Sequence, residues 1–259
     1  MHLTGIELLP WLIGSVSALI IGISKTGVPG IGILAVPFLA NAYGGQQSIG
    51  IMLPMLIVGD CFAVAWYYKS TKWNVLWKLY PWIIPGLIAG GYALYYLNQI
   101  NGKTDIFSKI IGIFVLLMMF IHLMSKKLGS KVTPTSSFGV ALTGSSAGFA
   151  TVVSNAAGSI MQIYLQALKI SKDDFMGTIS MYFFTINLVK IPILMLLTKL
   201  IPKTPMISQR GLLIDLTYIP IIVLGVYIGK WMLPRIPEKS FNNIILILAG
   251  AAAIKLILT

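Results

Sequence analysis

The chain has 259 residues, of which 57% are hydrophobic and 10% charged, with a formal net charge of +12 and a mean hydropathy of +0.87. A soluble domain carries about 25% charged residues, so this chain cannot cover a water-facing surface, and a soluble enzyme is excluded together with a disordered chain. The apolar residues fall in long runs, the mark of a helical membrane protein, and not in the alternating short segments of a membrane barrel.

The basic residues lie in short loops between the runs. There they act as topology signals for a protein in a lipid bilayer, and no nucleic-acid partner is expected. Trp66, Trp73, Trp77 and Trp82 stand at run ends, as in an interfacial aromatic belt. Cys61 is the single cysteine, which excludes an internal disulfide and a cysteine metal cluster. His2 and His122 are far apart and lack partners at a ligand spacing, so no metal or other cofactor is expected. The start of the chain carries Glu7 and no basic stretch, so the first run is expected to stay as a helix rather than be cleaved as a signal peptide.

A spanning helix needs ~20 apolar residues. The first region, 8–42, is too long for one helix and is interrupted at Ser24-Lys25-Thr26-Gly27-Val28-Pro29-Gly30. Two helical pieces meeting at a break are predicted there. Spans are predicted at 48–68, 75–98 and 106–124, followed by a polar linker near 125–136. A second long region, 136–168, is interrupted at Thr151-Val152-Val153-Ser154-Asn155, and spans follow at 174–200, 211–234 and 240–258. Whether the second piece of each pair crosses the membrane or re-enters it stays open.

The fold class is therefore an all-α polytopic membrane protein of eight to ten helices forming one transmembrane domain, with halves at about 5–126 and 136–259. Each half repeats the order of paired segment and three spans. Gly32 matches Gly158 at an offset of 126, while Gly50 matches Gly177 and Asp60 matches Asn187 at 127. Three crossings per half is odd, so the second half must enter from the opposite side, which predicts inverted repeats. By this topology one side holds 11 basic residues, Lys72, Lys172 and Lys230 among them, and the other holds 5. The positive-inside rule makes the first side cytoplasmic and puts both termini outside, in a multi-pass protein of the cell's inner (plasma) membrane.

Lys25, Lys190 and Asp60 stand out because they interrupt apolar sequence, where a charge costs at least ~2.5–3.5 kcal/mol at the bilayer centre. Lys25 is in the first break. Broken backbone must face protein or a water-filled cavity. A helix restarting near Pro29 would point amide groups into that cavity and attract anions. Ser24 and Thr26 add hydroxyls, and Gly27, Gly30 and Gly32 admit close approach. In the second break Ser154 and Asn155 are N-cap types for a helix from Ala156, with Gly158 in its first turn. Inverted repeats would bring the two helix starts together on one small anion with several oxygens. Glycine-lined helix crossings without a ligand are the alternative for both breaks.

Asn187 and Lys190 share a helix face. Asp60 pairs with Lys190 or Lys25 across the repeat interface, carries a coupling proton, or only fixes packing. Lys190 is a candidate second anion ligand, and Gln162, one turn beyond Gly158, either lines the cavity or bonds between helices. Pro54, Pro85, Pro192 and Pro220 mark kinks.

The stretch Gly22-Ile23-Ser24-Lys25-Thr26-Gly27-Val28-Pro29-Gly30-Ile31-Gly32, followed by Ala35-Val36-Pro37, resembles the first-repeat motif of the TauE/SafE family of sulfite exporters and related permeases. The two-half layout is similar across nearly the whole chain. The resemblance implies a membrane permease for small sulfur-containing anions such as sulfite, thiosulfate, sulfoacetate or other organosulfonates. It implies binding by residues 24–32 and by 154–158.

The leading expectation is a secondary transporter with alternating access around a midplane site. No nucleotide-binding loop is present, so an ion, proton or anion gradient would drive it. A channel or permease for another small anion, or an assembly subunit without transport, are the alternatives; isolated histidines and one cysteine argue against an enzyme. Coupling ion, direction and oligomeric state, a homodimer included, stay open.

Overall fold

A computed structural model describes residues 7–101, 137–168, 170–202 and 205–232, with single positions elsewhere. Apart from those single positions, the expected spans 106–124 and 240–258 and the linker 125–136 lie outside the described residues. Within them the chain is helical: α1 (Leu8–Thr26), a 3-10 turn (Ile31–Leu34) leading into α2 (Ala35–Tyr43), α3 (Gly45–Tyr67) and α4 (Trp73–Asn101). The second half gives α5 (Ser137–Ser154), α6 (Gly158–Ala167), α7 (Lys172–Leu200) and α8 (Gln209–Met232). Helices α1, α5, α7, α8 and the stretch Gly45–Ser70, which contains α3, are long and apolar enough to cross a membrane. With 29 residues α4 also has the length, though its prolines and aromatic residues lower its hydropathy.

Local chemistry sets the ends of these helices. The Ser171 hydroxyl accepts a hydrogen bond from the Asp174 amide at 3.2 Å, and Asp173 and Asp174 stand in the first turn of α7. That is the acidic, capped start that the helix dipole favours. Both long regions are broken as expected. Their second pieces are short: Ile31–Tyr43 extends about 21 Å, and α6, with 10 residues, about 15 Å. A hydrocarbon core is ~30 Å thick. Both pieces therefore have re-entrant rather than spanning length.

Glycine contacts give the direction of each packed pair. Along α1 and α8, Gly14 lies against Tyr218, Gly22 against Ile222 and Val226, and Gly27 against Gly229, so the two helices run parallel. Gly144 against Leu79 and Trp82, and Gly148 against Ile83 and Leu87, make α5 parallel to α4. By contrast α3 and α7 are antiparallel. Gly50 near the start of α3 meets Met206 beyond the end of α7, while Gly177 near the start of α7 meets Tyr67 and Ser70 at the end of α3. The first helix of each half thus packs on the last described helix of the other, and the middle helices α3 and α7 pair with each other.

Basic residues gather at one end. Lys72 forms a 3.0 Å salt bridge with Asp174, its amide donates to Thr178 Oγ1, and Lys230 covers the Trp66 ring at 3.9 Å. Large apolar side chains such as Leu9, Trp77, Ile88, Leu142 and Leu213 are exposed on the outside, a surface matched to lipid rather than water.

The α1–α8 contact depends on bare glycine. A Cβ at Gly22 would lie 2.2 Å from the Ile222 carbonyl oxygen, and helix backbone cannot yield by that much. Gly22→Leu is expected to destabilise the protein by about 3 kcal/mol or more, seen as a lower melting temperature and loss of the monodisperse peak in detergent. A wild-type melt would show that the two helices do not pack this closely.

Candidate anion site

Both breaks open on one central cavity of about 70 Å³. Cofactor and drug pockets run to ~300–1,000 Å³, so this one fits a solute of few atoms. Ser24, Lys25, Pro29, Gly30, Gly32 and Ile33 line it from the first half's broken segment, and Met52 and Leu56 from α3. Thr151, Asn155, Ala156 and Gly158 come from the second break, and Ile179, Ser180, Phe183 and Asn187 from α7.

The two breaks are built differently. Gly30 adopts a left-handed conformation with φ of 102°, open to glycine without the penalty a Cβ brings. The chain then restarts as a 3-10 turn at Ile31, two residues after Pro29, and the Ile33 amide already donates to the Gly30 carbonyl at 3.2 Å. The expected α-helix N-terminus at Pro29, with a row of open amides, is thus replaced by a tighter turn that uses some of its own donors. At the second break Ser154 is the last residue of α5 and its hydroxyl donates to the Ala150 carbonyl at 3.0 Å. Asn155 follows with φ of 54°. These residues close α5 and do not cap α6, because asparagine tolerates the left-handed conformation that ends a helix. That frees the Asn155 side chain: Nδ2 donates to the Ile49 carbonyl of α3 at 3.3 Å, and Oδ1 accepts from Lys190 Nζ.

Charges inside the bundle are tied together. Lys25 Nζ is 2.6 Å from Asp60 Oδ1, with side-chain exposures of 9% and 0%. The contact is a close ion pair. Asn187 Nδ2 donates to Asp60 Oδ2 at 2.7 Å. Lys190, fully buried, donates to Asn155 and, at 3.4 Å each, to Thr151 and Asn187. Asp60 therefore pairs with Lys25 of its own half and reaches the other half through Asn187, the residue that matches it at an offset of 127. Counted by formal charge, two ammonium groups face one carboxylate. Of the two lysines, Lys25 stands at the cavity wall, its ammonium 4.4 Å from the Phe183 ring centre, and Lys190 lies behind it.

Of the residues singled out in the sequence, Ser24, Lys25, Gly30, Asn155, Gly158 and Asn187 line the cavity. Thr26 and Gly27 turn away from it. The Thr26 hydroxyl bonds the Val226 carbonyl at 2.6 Å, and Gly27 abuts Gly229, so both seat α1 on α8. Ser154, Asp60 and Lys190 stand behind the wall. So does Gln162, whose amide group packs under Gly30 and joins α6 to the first break. Sequence reasoning missed Thr151, Ser180 and Phe183. Ser180, Phe183 and Asn187 recur at helical spacing on α7, a signal that was readable; Ser180 Oγ is buried without a partner.

The sequence profile described as Sulfite exporter TauE/SafE matches residues 14–256, nearly the whole chain. The protein belongs to the TauE/SafE sulfite exporter family. Members of this family are membrane transporters of sulfur-containing anions such as sulfite. No curated protein and no solved structure matches the chain.

Removing one partner of a buried ion pair strands the other charge, at a cost of about 3–5 kcal/mol. Lys25→Met is expected to lose stability on that scale, and adding Asp60→Asn to recover most of it. Unfolding of both variants in detergent checks this; equal stability of the single and double variants would show that the pair carries no coupling.

Proposed function

We propose that this TauE/SafE protein is a secondary permease that moves a small sulfur oxyanion or organosulfonate, such as sulfite, thiosulfate or sulfoacetate, across the plasma membrane. The observation that carries the reading is the meeting of both broken segments and Lys25 on one small cavity. An oxyanion there competes with Asp60 for the Lys25 ammonium. Ser24, Ser180, Asn155 and Asn187 offer neutral polar groups to its oxygens, and Ile33, Leu56, Ile179 and Phe183 give it dry walls, against which charge–dipole contacts strengthen.

Transport follows from the halves. The antiparallel α3 and α7, and the reciprocal pairing of α1 with α8 and α5 with α4, support two inverted repeats that rock against each other around the cavity. The gathering of Lys72, Lys172 and Lys230 at one end supports a cytoplasmic side there, with the start of the chain outside.

The test is flux in proteoliposomes across sulfite, sulfate, thiosulfate, sulfoacetate and chloride. In the charge-balanced variant Lys25→Ala with Asp60→Asn, flux of the preferred sulfur anion is expected to fall at least about 30-fold, the scale of losing one buried charged contact. Wild-type flux from that double variant would remove Lys25 from the anion's path.

A further inference from the structure

A second intramembrane carboxylate takes no part in the site above. Asp215 stands in the second turn of α8, 6% exposed, and its Oδ1 has no hydrogen-bond partner. Among the described residues it has no salt-bridge partner. The helices packed on α8 supply no counter-charge among the described residues. Lys25 is the single charged side chain of α1 and Asp60 that of α3, and these two are bonded to each other. The groups that do face Asp215 are the phenols of Tyr43, from α2, and Tyr218, one turn along α8, whose hydroxyls meet at 2.5 Å. Arg210 lies within electrostatic reach of Tyr43.

Beside this cluster opens a second cavity of about 420 Å³, lined in part by Glu7, Tyr43, Gln47, Arg210 and Ile214. It reaches Tyr43 and the residue before Asp215. A buried carboxylate without a counter-charge is costly, and an ionisable residue inside a span without a salt-bridge partner points to function. A metal cation would need several converging oxygens, and no group of three or more acidic, histidine or cysteine side chains exists among the described residues. A proton needs only the carboxylate.

We propose that Asp215 carries a proton in the transport cycle, exchanged with the cavity beside Tyr43. The step is a single protonation, carboxylate plus proton giving the neutral acid, and its reverse. The link to transport is the short arm from Gly30 to Tyr43. One end of the arm, at Gly30, Gly32 and Ile33, lines the central cavity, and the other, Tyr43, closes on Tyr218 beside Asp215. Protonation changes what the Tyr43–Tyr218 pair faces and so biases the arm's position at the central cavity. This coupling rests on the central cavity being an anion site; the protonation itself does not.

Two readouts on the full chain in proteoliposomes test it. Infrared spectra of the wild type are expected to show the carbonyl stretch of a buried protonated carboxyl that is absent in Asp215→Asn and present in Asp215→Glu. Uptake of labelled sulfoacetate, whose sulfonate stays ionised, is then compared with and without an imposed pH gradient. Gradient-driven accumulation is expected to fall about tenfold or more in Asp215→Asn, the scale of ordinary site-to-site coupling, while exchange without a gradient persists and Asp215→Glu restores the response. Identical infrared spectra for wild type and Asp215→Asn, or full gradient response in Asp215→Asn, overturns the proposal. Absence of any sulfur-anion exchange by the wild type overturns the anion reading instead, and the infrared band still decides the proton.

Discussion

Lipid offers no hydrogen bonds, and this chain breaks two of its helices where lipid would surround them. The freed amides and carbonyls must find partners inside the protein. Gly30 turns back through the left-handed region, and the following 3-10 turn bonds itself. Asn155 ends α5 in the same region and spends its side chain on Ile49 and Lys190. Each break is then sheltered by the other: Gln162 of the second fills the space beneath Gly30 of the first. The cavity is what remains between two segments forced to face each other.

The same constraint governs the charges. Lys25, Asp60 and Lys190 would each be costly alone in the bilayer. Here Asn187 stands between them, accepting from one lysine and donating to the carboxylate, so one chain of an ion pair and hydrogen bonds runs from the first break through α3 and α7 to the second. Such a chain resists the loss of any one member, because each leaves a neighbour buried and unpaired. It also holds the Lys25 ammonium at the cavity wall. In the proposed reading, affinity for an anion and attachment of the two halves are properties of one network.

Glycine does the remaining work of assembly. Gly22, Gly27 and Gly229 bring α1 and α8 into backbone contact, and Gly86, Gly144 and Gly148 do so for α4 and α5. In a bilayer, where association gains little from the hydrophobic effect, such close packing is a main source of attraction between helices. These tight pairs join one half to the other. Between them, α3 and α7 meet along a contact that includes the polar Asp60–Asn187 bond.

Much of this was legible in the sequence, for a physical reason. Composition alone fixes lipid as the solvent, and run length then gives the helices. Small and polar residues inside a run mark a break wherever they fall, so residues 24–30 and 151–155 were visible without coordinates, as were Lys25, Asp60, Asn187 and Lys190 as charges or amides out of place. The choice of partners was not legible. Whether Asp60 meets Lys25 or Lys190 depends on helix rotation and offset, to which hydropathy is blind. Ser154 and Asn155 have the letters of an N-cap but end the preceding helix, because a left-handed asparagine serves either context and packing selects one. Thr26 and Gly27 belong to the motif yet face α8, and Asp215, near the end of its run, looks interfacial until neighbouring helices bury it. A linear pattern records which residues lipid will not tolerate; which of them meet is settled only when the helices are laid side by side.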